Sequence, residues 1–466
     1  MLFSKVVIGF SVGVFFSLGC ASRASQKSAT RGTKVVTEDG RDQAIADADG
    51  WGSYWDGKDI SKIEKLDKEE LEKISRRNLK LGPSHKIFNP KSDVASSGSS
   101  GPLDLKQIDC TFVEPDPSDV MGGRTPKFLC SSDDQKKPFK VKYDSALTGC
   151  PTARNANVAT STEILATRLM WALGFRADSM YPAKVKCVNC PQEPWTYIRN
   201  SYSLSALDKF IDHNAGYVCE NLPSNKRDTR DFYPVAIEKK DSGDKIETDQ
   251  KQGWGFNEIL NPSNMRSTET AKGKRQLIHR EALAMMAAFL EHWDNKSVNQ
   301  RLSCLDKESL SDACEQPFFI IQDPGFTFGT GWKPFEFNGV SALSVANDAN
   351  PIRWAKETMW DGDSANCVIK VNAFLPEGVT LFKHKVSQEG AAFFAKIFSQ
   401  LSKSQIADLM EAGQVETTRD GSKRQGPDKG NITKQTWIDS FVGKVESQVF
   451  SNKCLPAGSK FAFKNQ

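Results

Sequence analysis

Apolar residues follow the two-residue period of strands in much of residues 103–240 and the longer period of helices in much of residues 241–466. Phe139–Tyr143 alternates apolar side chains with Lys140 and Lys142, which predicts a strand with one basic face. Residues 273–291 carry large apolar side chains at helical spacing, which predicts a long buried helix. The pattern therefore predicts an α+β protein in which a mostly β part precedes a mostly α part.

The same two periods predict the remaining elements. A glycine-bearing turn at 121–126 separates the first two strands. The predicted strands are 107–113, 127–130, 181–187, 195–204, 233–239 and 318–321, and the predicted helices are 163–173, two within 387–413, and 436–450.

The first hundred residues have a different character. Residues 6–18 form an apolar run of signal-peptide length, and the following Cys20 ends a Ser-Leu-Gly-Cys sequence that resembles a bacterial lipobox. We expect a lipoprotein signal at 1–20, with cleavage before a lipidated Cys20 that anchors the chain to a membrane; an ordinary secretory signal is the alternative. Residues 21–102 are polar, with one predicted amphipathic helix at 59–79, and we interpret them as a tether.

Composition limits the functional classes. The chain is 38% hydrophobic and 26% charged, which is typical of a soluble globular protein, and its net charge of +4 is too small to indicate a nucleic-acid partner. Without Cys20, ten of the 11 cysteines remain, enough for up to five disulfides in an extracytoplasmic, oxidising compartment. Cys187 and Cys190 form a CxxC motif, for which structural disulfides are preferred and thiol–disulfide catalysis remains an alternative.

Four polar residues around the long predicted helix suggest phosphoryl transfer. Asp294 follows the helix and can accept the proton of an attacking hydroxyl, while Lys296 can neutralise the transferred phosphate. Asn299 offers an amide oxygen and Asp323, after an apolar strand, offers a carboxylate; both suit Mg²⁺. The alternative is that these residues only cap turns.

The upstream half contains candidates for binding phosphates. The backbone of Gly122 and Gly123 can cover a nucleotide, and Lys142 can contact its phosphates. Glu163, on the next predicted helix, either pairs with Lys142 or closes a capping box with Thr160.

Together these residues resemble the protein-kinase-like superfamily. The residues from His292 to Asn299 are similar to its catalytic loop, His-x-Asp-x-x-x-x-Asn, and Asp323-Pro-Gly325 to its metal-binding Asp-x-Gly segment, closest to the phosphatidylinositol-kinase branch. The resemblance implies a two-lobed kinase-like fold, with an N-lobe at 103–240 and a C-lobe at 241–466. It also implies ATP or another nucleotide, and Mg²⁺, as cofactors, with Lys142 on phosphate and Glu163 as its ion-pair partner.

The chain departs from that family between its catalytic loop and its metal-binding segment. The stretch is longer than in common protein kinases and contains Cys304 and Cys314, which we predict to form a disulfide that closes a hairpin. The expected function is Mg²⁺-dependent transfer of a phosphoryl group to a hydroxyl-bearing acceptor, which could be protein, sugar or lipid. A catalytically inactive pseudokinase that serves as a binding or scaffold lipoprotein is the alternative.

Overall fold

The computed structural model describes residues 33–51, 107–116, 121, 125–132, 138–143, 159–202, 226–239, 243–304, 314, 317–337, 340–346, 349–375, 378–415 and 432–464. The predicted signal at 1–20, the predicted helix at 59–79, and Gly122 and Gly123 lie outside these residues.

Five strands close into a barrel. They are β2 (Gln107–Val113), β3 (Lys127–Ser131), β4 (Phe139–Tyr143), β5 (Ser179–Pro191) and β6 (Arg227–Lys239), in the order β2-β3-β4-β6-β5. A parallel pairing of β2 with β5 completes the closure, and the other pairs are antiparallel. Phe128, Tyr143 and Phe232 pack against each other from three different strands, with ring centroids 5.0 to 5.7 Å apart. Because side chains alternate along a strand, the neighbouring Lys127 and Lys142 lie on the outer face of the barrel.

This topology shows that the predicted two-lobed kinase-like fold is wrong. The strands expected to form a small lobe close on themselves, because β2 pairs in parallel with a strand that begins about seventy residues later. The half that was expected to be mostly helical also contains seven described strands. The class α+β describes the chain, but the architecture is a closed barrel with small sheets and helices.

A second sheet has four strands in the order β1-β7-β8-β9. They are β1 (Thr33–Val35), β7 (Asp244–Glu247), β8 (Gln300–Cys304) and β9 (Pro317–Ile321). Strand β1 comes from the predicted tether and pairs in parallel with β7. The helix α1 (Glu38–Asp47) and Trp51 follow it, and both Ile45 and Trp51 are buried in the core. Part of the predicted tether therefore belongs to the folded protein.

Helices surround these two sheets. They are α2 (Ala159–Ala172), α3 (Pro194–Ser201), α4 (Phe256–Ile259), α5 (Ala271–Leu290), α6 (Pro351–Lys356), α7 (Gln388–Phe398), α8 (Lys403–Ala412) and α9 (Lys434–Val445), which continues as π-helix over Glu446–Phe450. Short 3₁₀ turns cover Pro262–Asn264, Ser297–Asn299 and Ser364–Asn366. Two hairpins complete the described elements: β10 (Gly331–Phe337) with β11 (Val340–Ala346), and β12 (Val368–Leu375) with β13 (Gly378–Lys385).

The helix predictions for 273–291 and 387–413 are confirmed by α5, α7 and α8. The strand predicted at 195–204 is wrong, since this range begins as helix α3. Pro194 occupies the first turn, where its missing N–H is harmless, and the Glu193 carboxylate caps the helix by accepting from the amide of Thr196 at 2.5 Å.

Four disulfides link described residues: Cys110–Cys130, Cys187–Cys190, Cys304–Cys314 and Cys367–Cys454. The CxxC cysteines are bonded to each other and fully buried, which favours a structural role over thiol exchange. Disulfides are typical of proteins outside the cytoplasm. Within the described ranges, no helix combines the length and apolar character needed to cross a bilayer.

Candidate functional site

Lys142 is the centre of a cluster of charged side chains on the outer face of the barrel. Its Nζ lies 2.7 Å from Oε1 of Glu163, 2.9 Å from Oε2 of Glu238 and 3.5 Å from Oδ1 of Asp323. Glu238 also accepts a hydrogen bond from Lys140 at 2.6 Å. The side chains of Lys142, Glu163 and Glu238 are at most 3% exposed, whereas that of Asp323 is 43% exposed. Asp323 is therefore the edge of the cluster that solvent or a ligand can reach.

The cluster shifts the pKa values of Glu163 and Asp323 in opposite directions. Burial lowers the pKa of Lys142, but the surrounding carboxylates, Asp323 first, raise it well above its ordinary value. Burial raises the pKa of Glu163, and Asp323 raises it further against the opposing effect of Lys142. Burial also raises the pKa of Asp323, but Lys142 and Glu163 bring it well below its ordinary range. The pKa shifts of Glu163 and Asp323 therefore have opposite directions, and Asp323 is the carboxylate whose ionised form the cluster favours.

Lys127 is a second buried cation on this face, and it was not predicted from the sequence. The register of β3 and β4 places it directly opposite Lys142, and it is 6% exposed. Its Nζ lies 5.4 Å from the centre of the Trp195 ring, and no carboxylate of the described ranges forms an ion pair with it. Burial, Lys142 and Lys140 lower the pKa of Lys127 to about 7. Within the described residues, one buried lysine therefore forms no ion pair and lies beside another that forms three.

The loop after α5 is held against the segment that contains Asp323. Nε2 of His292 lies 3.1 Å from the carbonyl oxygen of Asp323, and the Trp293 amide donates to the carbonyl of Phe326 at 2.9 Å. Burial lowers the pKa of His292, so its imidazole is neutral and Nε2 carries the proton that it donates. His292 therefore positions the backbone of Asp323.

The same loop brings the three downstream candidates together. The Asp294 carboxylate lies 3.2 Å from Nζ of Lys296, and the carbonyl of Asp294 accepts from Nδ2 of Asn299 at 3.1 Å. The carbonyl of Asn299 accepts from the amide of Gln322 at 3.0 Å, so Asn299 lies beside the residue that precedes Asp323. Since its amide nitrogen is held by Asp294, the side-chain oxygen of Asn299 points away from that bond.

The predicted disulfide between Cys304 and Cys314 is confirmed. It closes the excursion between β8 and β9, whose pairing sets Gln300 opposite Ile321. Asn299 and Asp323 lie just beyond this paired end, so the hairpin fixes the spacing between them.

The pairing of Glu163 with Lys142 is also confirmed, at 2.7 Å. The predicted capping box is wrong, because α2 begins at Ala159 and Thr160 is already inside the helix. Another residue of this helix, Thr162, donates to the carbonyl of Gly325 at 2.5 Å, which ties α2 to the Asp323 segment. Gly122 and Gly123, whose backbone was predicted to cover a nucleotide, lie outside the described residues.

The two residues predicted to bind Mg²⁺ supply too few oxygen atoms by themselves, so phosphates and water would have to complete its coordination shell. Among the described residues, no group of three or more His, Cys, Asp or Glu side chains forms a metal cluster. Mg²⁺ commonly takes one or two protein oxygens and completes its shell with phosphates and water. The ionised Asp323, 3.5 Å from Lys142, and the amide oxygen of Asn299 fit that pattern. The described residues therefore fit a Mg²⁺ ion that arrives with a nucleotide.

No family model matches the chain, and no curated protein or solved structure matches it significantly. The chemistry of this site, rather than homology, therefore indicates the function.

Proposed function

We propose that this site binds a nucleotide with Mg²⁺ and transfers a phosphoryl group to a hydroxyl acceptor. The observation that carries the proposal is the contact of Lys142 with Glu163 at 2.7 Å and with Asp323 at 3.5 Å, beside the loop that carries Asp294. Phosphoryl transfer requires cations for the phosphates, oxygen ligands for Mg²⁺ and a carboxylate for the attacking hydroxyl. We assign these three roles to Lys142, to Asp323 with Asn299, and to Asp294.

The proposed reaction is a direct displacement at phosphorus. The acceptor hydroxyl gives its proton to Asp294 while its oxygen bonds to the terminal phosphorus of the nucleotide. The bond from that phosphorus to the bridging oxygen breaks, and the nucleoside diphosphate leaves with the bonding electron pair. Lys142 and Lys127 balance the charge of the phosphates, and Lys296 balances that of the transferred group. Bound Mg²⁺, held by Asn299 and Asp323, would supply further positive charge to the phosphate oxygens.

We place this activity outside the cytoplasm, on a chain anchored through lipidated Cys20. The four disulfides and the signal-like N-terminus support this location. The acceptor would then be a protein, sugar or lipid hydroxyl in that compartment, and the nucleotide would have to be available there.

Nucleotide binding is the first test. The full chain, purified oxidised, is heated with and without ATP and Mg²⁺, and its melting temperature is compared with that of Asp323→Asn and of the control Asp439→Asn, which removes an exposed carboxylate. At a ligand concentration one hundred times Kd, binding adds about 2.7 kcal/mol of stability. We expect this stabilisation in the wild type and the control and its loss in Asp323→Asn. Equal melting temperatures with and without nucleotide in the wild type would refute the proposal.

The test of transfer separates an enzyme from an inactive binding protein. With radiolabelled ATP, we expect wild-type chain to label an acceptor or to release phosphate to water, and Asp294→Asn to bind nucleotide but lose turnover. Nucleotide binding without turnover in the wild type would favour the scaffold alternative.

A further inference from the structure

A cavity of about 190 Å³ lies where the end of α5 meets β12 and the end of α9. Glu357 and Thr358 at its rim are exposed, whereas Lys444 is 1% exposed, so the cavity runs from the surface to a buried lysine. Apart from Trp293, which precedes Asp294, its walls contribute nothing to the proposed phosphotransfer site. The lining residues are Ala287, Ala288, Glu291, Trp293, Glu357, Thr358, Lys370 and Lys444.

Glu291 is placed in this cavity against three structural preferences. It caps the C-terminus of α5 with φ 56°, in the left-handed region where glycine or asparagine is usual. Its carboxylate lies at the negative end of the helix dipole. Burial raises the pKa of Glu291, and no described residue donates to its buried Oε2 with hydrogen-bond geometry. A residue held in such a position points to a function rather than to stability.

The other polar groups of the cavity also have unused hydrogen-bonding capacity. Among the described residues, the buried Nε1 of Trp293 has no partner that meets hydrogen-bond geometry, although it lies close enough to the Glu291 carboxylate to lower the pKa of that group. Lys444 donates to the carbonyl of Trp354 at 2.7 Å rather than to Glu291, and its Nζ lies 4.5 Å from the centre of the Trp354 ring. The cavity thus offers an acceptor at Glu291 and a donor at Trp293 that a bound molecule can satisfy.

The lining has ionisable groups of both signs and no excess of either. Glu291 and Glu357 supply two carboxyl groups, and Lys370 and Lys444 supply two amines. Hydroxyl groups both donate and accept, so one neutral molecule with several of them can meet the carboxylate, the amines and the indole N–H together. We propose that this cavity binds a neutral polyhydroxy molecule, a polyol or a sugar, and that Glu291 is its main acceptor. This site is independent of the proposed phosphotransfer.

Saturation-transfer NMR on the full chain tests this proposal with D-glucose, myo-inositol and, as a zwitterionic probe, glycine. We expect transfer to at least one of the two polyols in the wild type. Glu291→Asn should weaken that binding about tenfold, since it removes a charge-assisted hydrogen bond. The same substitution should leave the melting temperature equal or higher, because asparagine suits the left-handed backbone. A purely structural Glu291 would instead lower it.

Two further variants complete the test. Ala288→Leu fills the cavity and should abolish the transfer, whereas Glu446→Gln, which removes an exposed carboxylate on the π-helical turn, should leave it unchanged. The proposal would be overturned by absence of transfer to both polyols, by equal transfer in wild type and Glu291→Asn, or by transfer to glycine alone.

Discussion

Replacing Lys127 by methionine should stabilise the fold while it weakens phosphate binding. Lys127 is buried without a described carboxylate partner, so its charge opposes folding at neutral pH. Its pKa falls from 10.5 to about 7. At about 1.36 kcal/mol per pKa unit, this shift sets an upper bound of about 5 kcal/mol for the penalty. Methionine keeps most of the length and apolar volume of the side chain and removes the charge.

The pH dependence gives the sign of the effect. Below about pH 7, Lys127 is charged in the folded and unfolded chains alike, and the full penalty is present. Between pH 7 and 10.5 the folded chain binds fewer protons than the unfolded chain, so stability rises with pH and the penalty disappears. The groups that face Lys127 are Lys142 and Lys140, which lower its pKa, and Asp323 and Glu238, which raise it.

Urea denaturation of wild type and Lys127→Met at pH 6.5 and pH 9 measures this difference. We expect the variant to gain on the order of 2–5 kcal/mol at pH 6.5 and clearly less at pH 9, and to bind ATP with Mg²⁺ more weakly than wild type. Lys140→Met is the matched control, since it removes a lysine paired with Glu238 and should destabilise the fold. A less stable Lys127→Met at pH 6.5, or a difference independent of pH, would refute the assignment of Lys127 as an unpaired buried cation.

Three other perturbations test the remaining contacts. Lys142→Met should lower the free energy of unfolding, measured by urea denaturation, by about 3–5 kcal/mol, because it leaves buried carboxylates without their cation. This loss should be larger than the loss caused by Lys140→Met. Trp51→Ala should cost about 3–5 kcal/mol by the same assay if residues 33–51 belong to the core; a change below 1 kcal/mol would contradict that. Replacing Cys304 and Cys314 together by serine should cost about 2–3 kcal/mol and weaken nucleotide binding, and unchanged affinity would separate the hairpin from the site.

The parts of the site that the sequence predicted depend on short distances along the chain. Asp294 and Asn299 belong to one loop, and the apolar run of β9 ends just before Asp323, so local pattern was enough to place them. The Lys142–Glu163 pair was predicted from the order of a strand and the next helix, and it forms at 2.7 Å.

The residues that were missed depend on contacts between distant strands. Lys127 lies opposite Lys142, and Glu238 lies opposite Lys140, only because β3, β4 and β6 pair in one particular register. A shift of one residue would move either side chain to the other face of the barrel. One local signal in the sequence indicated these residues: each charged side chain directly adjoins a buried apolar one in its strand. Lys127 precedes Phe128, and Glu238 follows Ile237.

The fold prediction failed for the same reason. Closure of the barrel requires the parallel pairing of β2 with β5, and periodicity within a strand contains no information about its partner. Residues 33–51 resemble a tether by composition, yet two of their apolar side chains, Ile45 and Trp51, are buried by elements far along the chain. Hydrophobicity averaged over a segment cannot detect such a contribution.

The predicted site residues do not depend on the predicted fold, and the reason is physical. Phosphoryl transfer constrains a few side chains around one ligand, and several scaffolds can supply a strand with a lysine, a helix with a glutamate and a loop with two oxygen ligands. In this chain, Thr162 on α2 and His292 in the loop after α5 both form hydrogen bonds with backbone carbonyls of residues 323–325. These two hydrogen bonds position the helix and the loop whether the β-strands form an open sheet or a closed barrel. The function should therefore be judged on Lys142, Asp294 and Asp323 themselves, and the closed barrel neither supports nor opposes it.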